Sequence, residues 1–226
     1  MTVPALQAVS LYRFFRAGDE ETQALRGVSL AVQPGELVAV AGPSGSGKST
    51  LLSCLAGLDT PDGGMVHVAG QRLSHRPERE RAELRARHIG LLFQNANLLE
   101  HLTVEANLPL VQALLPGPRR RSPADRQTLL AALDLGHRAT ATPSTLSGGE
   151  SARAGLAGAV ANNPAVLLAD EPSGELDADT ERQVVALLRA RADAGAAVVV
   201  VSHSAAVAGA ADRVVHLTDG TIDAGA

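Results

Sequence analysis

The run Gly42-Pro43-Ser44-Gly45-Ser46-Gly47-Lys48-Ser49-Thr50 has the spacing G-x-x-x-x-G-K-[ST]. It stands between a predicted strand, Glu36 to Gly42, and a predicted helix, Lys48 to Gly57. Glycines let such a loop wrap so that its N–H groups point inward at phosphate oxygens, and the following helix adds the positive end of its dipole. At this spacing Lys48 reaches the β- and γ-phosphates of a bound nucleotide, and Ser49 offers a hydroxyl to Mg2+. Such a cation also needs a carboxylate, and Val166-Leu167-Leu168-Ala169-Asp170-Glu171 supplies one as an apolar strand that ends in acids. Asp170 is the metal-side candidate. Glu171, one step further on, is a candidate to polarise the water that attacks the γ-phosphorus. Taken alone, an Asp-Glu pair after a strand is more often a solvated strand end; the phosphate loop is what gives it a role.

The elements that must position these residues alternate between strand-like apolar runs and helix-like periodic segments, the pattern of an α/β domain with a largely parallel sheet. Further strands are expected over Ile89 to Phe93, Val166 to Asp170 and Ala196 to Ser202. Asp177 can cap a long helix ending near Gly195, with Val184, Val185, Leu187 and Leu188 on its apolar face. Between about Asn95 and Asn162 strand signals give way to helical ones, among them Ser122-Pro123 as a helix start before Leu129, Leu130 and Leu133. We read this stretch as a helical insertion. His75 to His88 mixes arginines and glutamates with few apolar residues, as expected of a solvent-facing helix laced with opposite charges. Arg119-Arg120-Arg121, set among prolines and a glycine, reads as a solvated loop.

Composition narrows the partners. With 226 residues, 45% of them hydrophobic and 19% charged, the chain can bury one substantial core. A net charge of -4 gives no global positive field for nucleic acid or an anionic bilayer, and the basic helix lacks interleaved aromatics on which bases could stack. The one cysteine, Cys54, excludes an internal disulfide and reads as a small buried apolar residue. No run approaches the roughly 20 apolar residues of a spanning helix, and the start lacks the basic and apolar regions of a signal peptide. Cytoplasmic residence without direct membrane insertion is therefore expected.

Leu146-Ser147-Gly148-Gly149-Glu150, upstream of Asp170-Glu171, resembles the signature motif of ABC ATPases. Phe93-Gln94 resembles that family's glutamine loop, Ser173-Gly174-Glu175-Leu176-Asp177 its aspartate loop and Val201-Ser202-His203 its switch histidine. Ala24 to Leu30 and Ala56-Gly57-Leu58-Asp59 match smaller features. The resemblance covers almost the whole chain and implies a P-loop NTPase core with a mainly parallel sheet, a small N-terminal antiparallel sheet and a helical subdomain. Residues 1–94 and 163–226 would form the nucleotide-binding core and residues 95–162 the helical signature subdomain of a single domain. It also implies ATP and Mg2+ as ligands. Gln94 would join Ser49 and Asp170 around the cation, and His203 would bind the γ-phosphate and orient the water. Ser147, Gly148 and Gly149, with Asp177, would complete the site of a second subunit, so a dimer is expected, most simply of identical chains. For adenine, Phe15 before Arg16-Ala17-Gly18-Asp19-Glu20 is the candidate stacking ring; the competing reading packs it in the N-terminal sheet.

Ile89 to Gln94 with Asn97-Leu98-Leu99 and His101 to Asn107 resembles the ATPases of the macrolide-exporter and lipoprotein-release type. That implies a transmembrane permease as partner and a peripheral place on the inner face of the membrane. The alternative, a soluble ABC ATPase in DNA repair, chromosome organisation or translation, is disfavoured because no sustained heptads separate the phosphate loop from the signature. The chain also departs from its family. Glu150 stands where glutamine is commoner, Ser151-Ala152 replace long polar residues and Gly158 replaces an arginine, although Arg153 is retained. Gly155 and Gly158 should each cost the signature helix about 1 kcal/mol of propensity relative to alanine.

Overall fold

The computed structural model describes residues 3–17, 20–93, 97–115, 123–174 and 176–222. In chain order the strands are β1 (Leu6–Ala17), β2 (Glu20–Val32), β3 (Leu37–Ala41), β4 (Gly63–Val68), β5 (Gln71–Arg72), β6 (Ile89–Leu92), β7 (Val166–Asp170), β8 (Ala197–Val201), β9 (Arg213–Thr218) and β10 (Thr221–Ile222). The helices are α1 (Lys48–Leu55), α2 (Glu78–His88), α3 (Val104–Ala113), α4 (Pro123–Ala132), α5 (Gly148–Val160), α6 (Ala178–Asp193) and α7 (Ala205–Ala210).

The strands form two sheets. One is antiparallel in the order β2-β1-β4-β5, and the other runs β10-β9-β3-β8-β7-β6 with parallel pairing throughout except at β10. The expected mixed α/β architecture is therefore present, including the N-terminal antiparallel sheet. The central strands are unbroken apolar runs because both faces of the parallel sheet are covered. Val38 and Val40 of β3 join Leu51, Leu55, Val199 and Val201 in the core beneath the antiparallel sheet. Leu37 and Ala39 point the other way, into a second core with Val198, Val200 and residues of α3, α4, α5 and α6. Cys54 lies in the first core, where burial pushes its thiol up to about 12 and leaves it a packing residue.

Strand and helix ends fall within a residue or two of the sequence expectation, except that α2 begins at Glu78 rather than His75. Helix α6 begins behind Asp177 and buries Val184, Val185 and Leu188, while Leu187 is only partly covered. Helix α2 buries none of its residues and carries Arg76–Glu80 and Arg79–Glu83 pairs, with Glu78 paired to both Arg81 and Arg85. Its basic residues are thus largely neutralised by their neighbours. Among the described residues from 97 to 162 there are helices and 3-10 turns but no strand, and α4 starts at Pro123. Arg119, Arg120 and Arg121 lie outside the described residues. No described helix is long and apolar enough to cross a membrane.

Helix α5 contains the unusual glycines. A Cβ placed on Gly158 meets nothing within 4 Å, so no close contact requires glycine there. Gly158→Ala is accordingly expected to stabilise the protein by about 0.5–1 kcal/mol, raising Tm by roughly 2–4 °C. Thermal and urea unfolding check this, and a lowered Tm would show that the glycine serves packing after all.

Candidate functional site

The phosphate loop leaves β3 at Gly42 and enters α1 at Lys48. Both ends demand glycine. Gly42 has φ 154° and Gly47 φ 102°, and a Cβ on Gly47 would lie 2.3 Å from the Ala24 carbonyl oxygen. Gly47 also occupies the N-cap of α1, where no side chain bonds the first turn. The N–H groups of that turn, which have no intrahelical acceptor, are therefore left for a ligand.

They face a cavity of about 810 Å³ walled by Phe15, Thr22, Gln23, Ala24, the loop, Asp170, Glu171, His203 and the β9–β10 turn at Asp219 and Gly220. Of the loop, Gly42, Pro43, Ser44, Gly45, Gly47, Lys48, Ser49 and Thr50 line it, whereas Ser46 is buried behind them. Lys48 Nζ donates to the carbonyls of Gly42 and Pro43 at 2.8 Å each, which holds the ammonium over the loop. At the end of β7, burial pushes the Asp170 carboxyl up and the neighbouring charge of Glu171 adds to this. A hydrogen bond from Ser49 and the charge of Lys48 act in the opposite direction.

Glu171 is in the left-handed region, φ 44°, a conformation that costs a side-chain-bearing residue roughly 1–2 kcal/mol. Its N–H donates to the Val201 carbonyl at 2.9 Å, while its carboxylate accepts from Ser202 Oγ at 3.2 Å and contacts His203 Nδ1 at 3.0 Å. The strained turn thus brings the acid of one strand end onto the histidine of the next. The Val201-Ser202-His203 motif includes Ser202, but its bond to the acid needed the sheet register to be seen.

Phe15 is 44% exposed and lines the cavity, with the Arg13 guanidinium 4.7 Å from its ring centroid. Arg13 is outside the cavity lining, held bidentately by Asp59 at 2.8 and 3.0 Å and again by Asp62. This clamp joins residues far apart in the chain and has no local sequence signal. The Phe15 ring is thus presented to the cavity with Arg13 over it, and it is not among the residues packed into either core.

The signature residues sit elsewhere. Ser147 caps α5, its Oγ accepting from Glu150 N at 3.2 Å while Glu150 Oε2 accepts from Ser147 N at 2.8 Å, a reciprocal capping box. Gly149 is buried against α6, where a Cβ would fall 2.3 Å from Thr180 Cγ2. This end of α5 opens on a second cavity, lined by Gly148, Ser151, Ala152, Ser173, Gly174 and Glu171 among others. Among the described residues Glu171 alone lines both cavities. Asp177 lines neither; its carboxylate caps α6 through Asp179 N and Thr180 N at 3.0 Å each. Gln94 and Glu175 lie outside the described residues.

The model of the ABC transporter family matches residues 25–174. The macrolide export ATP-binding/permease protein MacB of Rhodopirellula baltica is 43% identical over 220 residues, which cover 96% of this chain and 32% of that protein. For MacB of Shigella flexneri the identity is 42%, with 97% of this chain and 34% of the relative covered. The chain therefore spans roughly a third of the length of these curated relatives. The dimeric structure of MJ0796, a bacterial ABC transporter cassette, superposes with a TM-score of 0.88 at 33% identity over 96% of both chains. A post-hydrolysis dimer of the same cassette bound to ADP and Pi matches equally well.

The raised Asp170 carboxyl yields a pH-dependent expectation. An acid whose folded pKa exceeds its unfolded one stabilises the fold only while protonated, fully below about 3.9, and loses that contribution as pH rises through the folded value. Asp170→Asn should therefore raise Tm at pH 7.5 without nucleotide, with the gap to the parent closing toward pH 4. Calorimetric scans across that range check it; equal Tm at both ends would mean that Asp170 ionises without strain.

Proposed function

Because this chain belongs to the ABC transporter family, we propose that it is the ATP-hydrolysing cassette of a membrane transport or mechanotransmission complex, working as a dimer of cassettes. The observation that carries this reading is the separation of two half-sites on one chain. The phosphate loop, both acids and His203 share one cavity, while the head of α5 opens on another. A second copy, turned so that its Ser147 and Gly149 face this phosphate loop, would supply donors that the chain's own cavity lacks.

In this reading the loop and the first turn of α1 hold the phosphates, with Lys48 turning from the loop carbonyls to the β- and γ-phosphates. Ser49 and Asp170 are hard oxygen donors that line the same cavity, a set suited to Mg2+ completed by phosphate and water oxygens. Gln94 is assigned to the same shell on the family resemblance. When bound, the cation neutralises charge that develops between the β- and γ-phosphates. Glu171 accepts hydrogen bonding from the attacking water. Ser202 and His203 fix its carboxylate, and His203, 77% exposed at its side chain, can also reach the γ-phosphate. Phe15 stacks the base. The names of the relatives join an ATP-binding part to a permease, and the present chain corresponds to the ATP-binding part. A permease partner would hold it at the inner face of the membrane, and the helical subdomain would pass dimer closure to that partner.

Substitutions at Glu171, Lys48 and Phe15 test this. Glu171→Gln should lower ATP turnover by two orders of magnitude or more, about the share a positioned base supplies, and accumulate an ATP-bound dimer. Light scattering behind size-exclusion chromatography with Mg2+ and ATP reads the mass directly, and a protein that stays monomeric at saturating ATP contradicts the shared site. Lys48→Ala should instead weaken ATP binding itself. Phe15→Ala should lose about 1–3 kcal/mol of ATP affinity while binding tripolyphosphate as the parent does. Equal losses for both ligands would return Phe15 to a packing role.

A further inference from the structure

Glu150 presents an electrostatic problem at the head of α5. A helix N-terminus attracts anions, but a carboxylate in its first turn satisfies that field itself and repels an incoming phosphate. The second cavity beside it has two acids in its lining, Glu100 and Glu171, although Glu150 itself is not part of that lining. The Ser147 N–H, with Arg138 assisting, holds the Glu150 carboxyl below the usual carboxylate range, so the charge persists at neutral pH.

The chain sets a cation against it. Arg138, on the 3-10 turn Gly136–Arg138, places Nε 3.1 Å from Glu150 Oε1, and His137 Nε2 is 3.7 Å from the same oxygen. Arg138 also donates from Nη2 to the Thr145 carbonyl, in the segment that leads into Ser147. The other arginine nearby, Arg153, donates from Nη1 to Gln183 Oε1. The two oxygens of Glu150 thus hold different partners, Oε2 fixing the Ser147 backbone and Oε1 taking the guanidinium.

We propose that Arg138 is a positioning residue of the composite ATP site, neutralising Glu150 so that Ser147 and Gly149 can accept the γ-phosphate carried by a second copy of this chain. The inference rests on the dimer reading above and deepens it. Glutamine at position 150 would keep the capping box without needing a counter-charge, since its amide oxygen can still accept from Ser147 N. Glutamate makes the cap stronger but ties the half-site to Arg138.

The test uses the Glu171→Gln protein as parent and measures the ATP concentration that half-saturates dimerisation with Mg2+ present. Arg138→Met, which keeps the aliphatic stem, should raise that concentration roughly fivefold to tenfold. Arg138→Lys should recover most of the loss. The decisive variant is Arg138→Met with Glu150→Gln, which should return to within about twofold of the parent, because removing the carboxylate removes the need for the cation. A purely structural Arg138 would not be rescued in this way. A parent that dimerises while Arg138→Met behaves identically, or a double variant no better than Arg138→Met alone, overturns the inference and leaves the dimer reading intact. A parent that remains monomeric overturns both.

Discussion

The register between three parallel strands decides where the chemistry can be. Val40 of β3 lies opposite Val201 of β8, and Val201 lies opposite Asp170 of β7. The phosphate loop, the Ser202-His203 segment and the acidic pair therefore leave the sheet at one level, although they come from distant parts of the chain. The crevice beyond the carboxyl ends of parallel strands is where ligands bind in open α/β sheets. Side chains alternate along a strand, so a slip of one residue in β7 would send Leu168 and Ala169 to the wrong cores. The hydrophobic sorting of Val38 and Val40 to one face, and Leu37 and Ala39 to the other, thus fixes the active geometry as well as the core.

Upon that register the site adds local strain in two places, both backed by tertiary contacts. The loop is pressed against β2 and β9: a Cβ on Gly42 would stand 2.1 Å from the Leu217 carbonyl oxygen, and Gly220 N donates to Ser46 O at 3.1 Å. Glu171 adopts its left-handed backbone only because its N–H is bonded to Val201 and its carboxylate is held by Ser202 and His203. Removing those partners would leave nothing to offset the unfavourable backbone, which is the usual condition for strain to persist at a functional site.

What could be read from the sequence was whatever is local. The phosphate loop, the acidic strand end and the Asp177 cap each fit within a few residues, and their neighbours reveal the strand or helix on which they sit. The fold class followed from alternating apolar runs and from the resemblance those motifs carry. Strand β10 escaped notice because it has only two residues, and β9 because Arg213, His216 and Thr218 break up its apolar run; β9 is held by pairing with β3, and β10 by pairing with β9. The same limit hid the clamp of Asp59 and Asp62 on Arg13, and the Arg138–Glu150 pair. One joins β1 to the segment after α1, and the other joins a 3-10 turn to the head of α5. Asp177 illustrates a different ambiguity, for the residue types that cap a helix are also those that bind ligands, and in this chain its carboxylate is committed to α6.

The two half-sites are nonetheless mechanically joined within each chain. After Glu171 the backbone turns through Pro172, Ser173 and Gly174 toward α6, and Ser173 Oγ is anchored on Glu181 of that helix at 2.9 Å. Helix α6 begins at Asp177, and one turn along it Thr180 packs so tightly on Gly149 that no side chain fits between them. Glu171 is thus tied to α6 by the Ser173–Glu181 bond and, through Thr180 and Gly149, to the head of α5. The acid at the end of β7 is thereby coupled to the head of α5, the surface proposed above to face a second copy. Among the described residues Glu171 alone lines both cavities, so the connection between the phosphate loop and the head of α5 passes through it.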